Sequence, residues 1–210
     1  MSGARPGHGL HAPLRAVVFD IGNVLVRWDA RLAFSPPLTP AATEAFLVRT
    51  EFAARNLRAD GGARFADLAA EIDDPADRAL FATYVDRYAD TVPEAIEGTW
   101  ALLERLRARG LAIHAITNWS AETWPAGVAA HPRLATAFGV TVVSGREGVI
   151  KPDPRIFAAL CDRAGLAPAE CLFIDDSPRN VAGARDFGMQ AEHFTAPAAL
   201  EAALTARGLL

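Results

Sequence analysis

Four short apolar runs punctuate the chain: Ala16-Val17-Val18-Phe19, Leu111-Ala112-Ile113-His114-Ala115-Ile116, Val140-Thr141-Val142-Val143 and Cys171-Leu172-Phe173-Ile174. Each is rich in β-branched or aromatic residues and closes on small or polar ones. Continuous runs of this length predict parallel strands buried on both faces. A weaker fifth strand is predicted after Gly188, at Gln190 to His193. Between the later runs, apolar residues recur at helical spacing. Glu97 to Arg109 places Trp100, Leu103 and Leu106 on one face before Gly110, and Pro154 to Ala164 and Arg179 to Phe187 follow the same pattern. Strand–helix alternation with short connections predicts a doubly wound, mainly parallel, Rossmann-like α/β sheet.

The stretch after the first run breaks that rhythm. Helical patterning is predicted at Ala42 to Leu57, Ala63 to Ile72 and Asp77 to Tyr88, separated by Ser35-Pro36-Pro37, Asp60-Gly61-Gly62 and Asp73-Asp74-Pro75. This is too long for a simple crossover, so residues 30–95 are read as a helical cap inserted after the first strand. Residues 14–29 and 96–210 then form the α/β core, and residues 1–13 a loose tail. A cap in this place is expected over the carboxyl ends of the strands, where open α/β sheets bind ligands. Its apolar helical faces are expected to form a small core of their own.

Composition narrows the partners. The 210 residues are 51% hydrophobic and carry a formal charge of −4 without a basic run, which argues against nucleic acid. No apolar run has the length of a membrane span and no signal-peptide core follows the N-terminus. Cys161 and Cys171 are expected to be buried thiols. A cytoplasmic protein, monomeric or homodimeric and without a membrane partner, is expected.

Candidate chemistry lies at the ends of the apolar runs. Asp20 follows the first, Thr117 and Asn118 the second, Asp175 and Asp176 the fourth, and Lys151 comes shortly after the third. In a parallel sheet these positions converge on one edge. Crowded carboxylates repel and raise one another's pKa unless a cation joins them. Oxygen ligands with open positions suit Mg²⁺, which with Lys151 would screen an incoming phosphate from Asp20. Asp20 is then placed to attack phosphorus and form an aspartyl-phosphate that water hydrolyses.

Taken in order, Phe19-Asp20-Ile21-Gly22-Asn23-Val24-Leu25, Ile116-Thr117-Asn118, Lys151-Pro152-Asp153-Pro154 and Phe173-Ile174-Asp175-Asp176-Ser177 resemble the four motifs of the haloacid dehalogenase-like hydrolases. The resemblance covers roughly residues 14–195 and implies a metal-dependent hydrolase acting on a small phosphorylated metabolite. It implies that Asp20 is the nucleophile and a metal ligand. The Gly22 carbonyl, Asp175 and Asp176 would complete the Mg²⁺ site. Thr117 and Lys151 would bind and neutralise the phosphate, and Asn118 would line the same pocket. Asn23, Trp119 and Arg31 are candidate substrate contacts, and Asn180 is expected to orient the acidic loop.

One position departs from the family's phosphatases, which usually carry a second aspartate two residues after the nucleophile as general acid and base. Here that position is Gly22, and losing such a group is expected to cost roughly 10²–10⁴-fold in rate. The dehalogenase branch also lacks it, but its fourth motif usually has no acidic pair, and Val24 stands where that branch tends to have threonine. Asp175-Asp176 therefore favours a metal and phosphate over carbon–halogen cleavage. A non-catalytic phospho-ligand or partner-binding protein is a further alternative. The Asp-x-Gly-Asn-Val form is similar to a subgroup that includes bacterial glucose-1-phosphatases, whose sugar leaving group needs less acid assistance. Asp29, from the following loop, is the candidate substitute acid. Plainer roles are expected for Asp153 as a helix cap and His114 as a core histidine, and for His8 and His11 as tail residues.

Overall fold

The computed structural model describes residues 13–210, so His8, His11 and nearly all of the expected tail lie outside the described residues. Five strands form one parallel sheet: β1 (Ala16–Phe19), β2 (Ala112–Thr117), β3 (Thr141–Val143), β4 (Cys171–Asp175) and β5 (Gln190–His193). Their order is β3-β2-β1-β4-β5. From β1 the chain moves outward to β2 and β3, then crosses back to place β4 on the other side of β1. Strand order thus reverses around β1, the position at which open α/β sheets form their ligand crevice. Phe19 pairs with Ala115 on one side and Ile174 on the other, so Asp20 emerges level with the end of β4.

The apolar runs are buried on both faces. Val17 and Phe19 of β1, with Leu172 and Ile174 of β4, join one hydrophobic cluster, while Ala16 and Val18, with Cys171 and Phe173, join the other. Period-two alternation in an all-apolar strand therefore supplies both layers. His114 is buried and accepts a hydrogen bond from the Val140 backbone amide (3.0 Å), and both cysteines are buried free thiols.

The segment between β1 and the next core helix is helical: α1 (Pro40–Arg49), α2 (Phe52–Asp60), α3 (Phe65–Ala70) and α4 (Pro75–Ala82). The single helix expected over Ala42 to Leu57 is two. Thr50 Oγ1 bonds back to the Phe46 carbonyl (2.7 Å), and Glu51 takes a left-handed φ of 46°. Packing decides the break. Residues six apart in a continuous helix point about 120° away from each other, yet Phe46 and Phe52 both contact Phe34, with ring centroids 4.8 and 5.7 Å away. Tyr84 joins this group, and Tyr88 links it to Trp119 of the core (5.5 Å). The aromatic cluster is therefore continuous with the hydrophobic cluster on one sheet face, not the separate small core expected from the sequence.

The remaining helices are α5 (Glu97–Ala108), α6 (Trp124–Ala130), α7 (Ser144–Glu147), α8 (Pro154–Ala164), α9 (Pro178–Phe187) and α10 (Pro197–Ala206). Asp153 caps α8 through the Arg155 amide (2.9 Å). No helix among the described residues is long and apolar enough to cross a membrane.

Candidate active site

The carboxyl ends of β1, β2 and β4 open onto a cavity of about 190 Å³. Asp20, Gly22, Asn118, Lys151 and Asp176 line it from the core, and Trp28, Asn56, Asp60 and Tyr88 from the helical segment and its approaches.

Asp20 is fixed by backbone. Its amide donates to the Ile174 carbonyl (2.8 Å), and Oδ1 accepts from the Ile21 amide (2.7 Å) and from Lys151 Nζ (2.8 Å). The loop that follows folds back on itself, with Leu25 and Val26 amides donating to the Ile21 carbonyl (2.8 and 3.1 Å). That reversal places Asn23 at a φ of 56°, a left-handed conformation that asparagine tolerates better than other residues with a Cβ. The Asn23 side chain accepts from the Trp28 amide (3.1 Å) while still lining the cavity. A Cβ built on Gly22 would meet nothing within 4 Å, so the missing side chain leaves open space.

Lys151 is the single lysine among the 21 Lys and Arg residues of the chain. Its ammonium reaches Asp20 Oδ1, Asp175 Oδ2 (2.7 Å) and the Ile116 carbonyl (3.1 Å), which uses all three of its protons. A compact ammonium fits this three-way site; the planar fork of arginine does not. Asn118 holds the loop that carries it, accepting from the Lys151 amide (2.8 Å) and donating to the Lys151 carbonyl (3.2 Å). Asp175 is anchored by the Ser177 amide (2.8 Å) and by Asn180 Nδ2 at 3.1 and 3.2 Å, so Asn180 does orient the acidic loop.

Oxygens of Asp20, Asp175 and Asp176 lie within 4.8 Å of one another. Burial raises the Asp20 pKa; Lys151 opposes that, and Asp175 and Asp176 add to it. Asp176 is raised by burial and by Asp175. Burial works against the Lys151 ammonium too, but Asp175 and Asp20 outweigh it and hold its pKa above the usual range. One ammonium thus faces three carboxylates. The surplus negative charge and the all-oxygen donor set fit a divalent hard cation such as Mg²⁺.

Other expected contacts fall differently. Thr117 is buried at the end of β2 and is not among the residues lining the cavity. Trp119 lines it, nearly buried against Trp124 and Gly127, and its indole N–H has no partner among the described residues. Asp29 and Arg31 lie in a neighbouring groove that shares only Asn23 and Trp28 with the cavity. There Arg31 grips Asp29 through two side-chain bonds (2.7 and 2.6 Å), and Asp29 caps the short 3₁₀ helix Ala30–Ala33. The guanidinium holds the Asp29 carboxyl below its ordinary pKa, the reverse of what a proton donor needs. Sequence reasoning passed over Asn56, Asp60, Tyr88 and Trp28. In the sequence, Asp60 stands in the Asp60-Gly61-Gly62 break between predicted helices.

The chain matches the haloacid dehalogenase-like hydrolase family over residues 14–188. It is 30% identical to phosphoglycolate phosphatase of Rhodospirillum rubrum, over 83% of this chain and 77% of that one. It is 34% identical over 94 residues to flavin mononucleotide hydrolase 1 of Arabidopsis thaliana, a match spanning 45% of this chain but only 38% of that protein's length. The fold superposes on L-2-haloacid dehalogenase of Xanthobacter autotrophicus with a TM-score of 0.63 at 21% identity, covering 94% of this chain and 84% of that one. With the motif residues gathered at one sheet edge and the family match running from before β1 to the end of α9, this chain belongs to the haloacid dehalogenase-like hydrolases.

Proposed function

We propose that this hydrolase is a Mg²⁺-dependent phosphatase of small phosphate esters, sugar 1-phosphates among them, acting through an aspartyl-phosphate on Asp20. The observation that carries this reading is the surplus of carboxylate over ammonium at the cavity. Carbon–halogen cleavage by an aspartate has no use for a three-carboxylate cluster, whereas phosphoryl transfer needs cationic charge between two anions. The phosphatase relatives agree with this.

Asp20 is held through Oδ1, which orients its carboxylate toward the substrate's phosphorus. Asp20 forms the new P–O bond as the ester P–O bond breaks; water then cleaves the acyl phosphate and releases inorganic phosphate. Lys151 keeps positive charge beside the transferring oxygens. Asn118 and the indole N–H of Trp119 supply neutral hydrogen-bonding groups around them. Asp20, Asp175, Asp176 and the Gly22 carbonyl would hold the Mg²⁺, which when bound neutralises charge on the phosphate. The test is phosphate release from p-nitrophenyl phosphate and glucose 1-phosphate, with Mg²⁺ and with EDTA. Metal-dependent release, lost by about 10⁴-fold or more in Asp20→Asn, is expected. Full activity of that variant ends the nucleophile assignment, and halide release from 2-chloropropionate without phosphate release would replace the phosphatase reading with the dehalogenase one.

A further inference from the structure

Gly22 leaves the cavity without the side chain that would protonate the departing oxygen, and the space its Cβ would occupy is open. Three carboxyl groups line the cavity: Asp20, Asp176 and Asp60. The first two belong to the acidic cluster. Asp60 stands apart from that cluster, comes from the helical segment and has no part in the chemistry so far described. We infer that Asp60 is the general acid and base of this site, donating a proton to the leaving oxygen across the space left by Gly22. This assignment rests on the phosphatase reading above.

Its setting is built for a protonated carboxyl. Asp60 is the last residue of α2 and only 9% exposed. A carboxylate at a helix C-terminus faces the negative end of the helix dipole, which favours the neutral acid. Asn56, one turn earlier, donates to its Oδ2 (3.2 Å). The Asp60 carbonyl accepts from Ser144 Oγ (2.5 Å), and that hydroxyl also receives the Trp119 amide (2.9 Å). The end of α2 is thereby tied to the loops after β2 and β3, which fixes the carboxyl relative to the core half of the site. Burial raises its pKa to about 7, with the Ser120 amide and Lys151 pulling the other way. Tyr84 and Tyr88, the phenols that feel its charge from the helical segment, are both pushed above their ordinary range, chiefly by burial, and remain neutral. Tyr88 also lines the cavity, but a phenol so reluctant to ionise is a far weaker acid than Asp60.

The proton balance closes within the two steps. Asp60 gives its proton to the ester oxygen as the P–O bond to that oxygen breaks, and an alcohol leaves. The Asp60 carboxylate then takes a proton from the water that attacks the aspartyl-phosphate, and the acid form is restored.

The experiment compares glucose 6-phosphate, whose leaving group is an ordinary alcohol, with p-nitrophenyl phosphate, whose leaving group needs little protonation. In Asp60→Asn, kcat/KM, which reports formation of the aspartyl-phosphate and not its hydrolysis, is expected to fall about 10²–10⁴-fold for the sugar ester, with a fall at least tenfold smaller for the aryl ester. In the unmutated protein, the ratio of sugar-ester to aryl-ester kcat/KM is expected to decline as pH rises through about 7, and the variant to lose this step. Ionisation of the acidic cluster acts on both esters alike and drops out of the ratio, which keeps the test open if Asp60→Asn fails to fold. Equal losses of kcat/KM on both esters, or a flat ratio in the unmutated protein, would overturn the assignment of Asp60 as the acid while leaving the phosphatase intact. No phosphate release from either ester by the unmutated protein removes the phosphatase reading, and this assignment with it.

Discussion

The two halves of this site are held in place by different physics. On the core side, the polar residues lie at or beyond strand ends, and hydrogen bonds to the backbone set their positions: Asp20 N to Ile174 O, Lys151 Nζ to Ile116 O, Ser177 N to Asp175 Oδ1. On the helical side, Asn56, Asp60 and Tyr88 are placed by the packing of Phe34, Phe46, Phe52 and Tyr84. Ladder geometry is common to every sequence that makes the sheet, whereas aromatic packing depends on which rings this chain carries. The core can therefore hold one chemistry while the helical side varies what reaches it. Replacing single residues on each side tests that division.

The largest effect on stability is expected at Lys151. In Lys151→Met the carboxylates of Asp20 and Asp175 lose their shared ammonium while staying buried. Leaving such charges unpaired costs about 3–5 kcal/mol, and loss of charge stabilisation beside the phosphate is expected to lower kcat by about 10²–10³-fold. Denaturant unfolding and phosphate release measure the two. A variant as stable as the parent would show that the acidic cluster takes up protons freely and needs no ammonium, which would erase the core's side of the contrast.

Much of that core was legible from sequence, because parallel strands end on one edge and the residue after each apolar run must appear there. Asp20, Asn118, Lys151, Asp175 and Asp176 lie together at that edge, with Asn180 bonded to Asp175. Thr117 shows the limit of the rule: it ends the right strand but is buried out of the cavity lining. Helix positions in the insertion were read with less success, since the bend at Thr50 and Glu51 exists to bring two phenylalanines onto Phe34, a contact no local pattern encodes. Asp60-Gly61-Gly62 was rightly seen as a helix end. The aspartate in it carries a signal of its own, since an acidic residue at a helix C-terminus opposes the dipole. The single lysine among so many arginines was a second signal of that kind.

The next effect in size belongs to the helical side and reads through stability. The folded Asp60 has a pKa of about 7 against an ordinary 3.8. Between those values the folded chain binds more protons than the unfolded one, so stability falls as pH rises through the window. Below it both states are protonated and nothing is lost. Above it the burial of a charged carboxylate costs up to about 4 kcal/mol. Asp60→Asn keeps the shape and cannot ionise. The variant is therefore expected to gain stability relative to the parent from pH 4 to pH 8, in thermal or denaturant melts. A difference that stays constant with pH would mean that Asp60 ionises as easily folded as unfolded, and the contrast between a charged core half and a neutral helical half would go with it.

The smallest effect is expected where sequence reasoning first sought the acid. Asp29 is paired with Arg31, partly exposed and in the neighbouring groove. Asp29→Asn weakens an exposed ion pair and keeps an oxygen to cap the 3₁₀ helix, so it is expected to cost less than about 1 kcal/mol. Turnover of glucose 6-phosphate should stay within about twofold of the parent, since proton transfer by a residue outside the cavity has no route to the leaving oxygen. Measured beside Asp60→Asn, this variant separates two aspartates of the same inserted region by position alone. If Asp29→Asn instead loses as much on the alkyl ester as Asp60→Asn is predicted to lose, the acid reaches the phosphate from the groove. The open space at Gly22 would then be an entry for that side chain and not room for the leaving group.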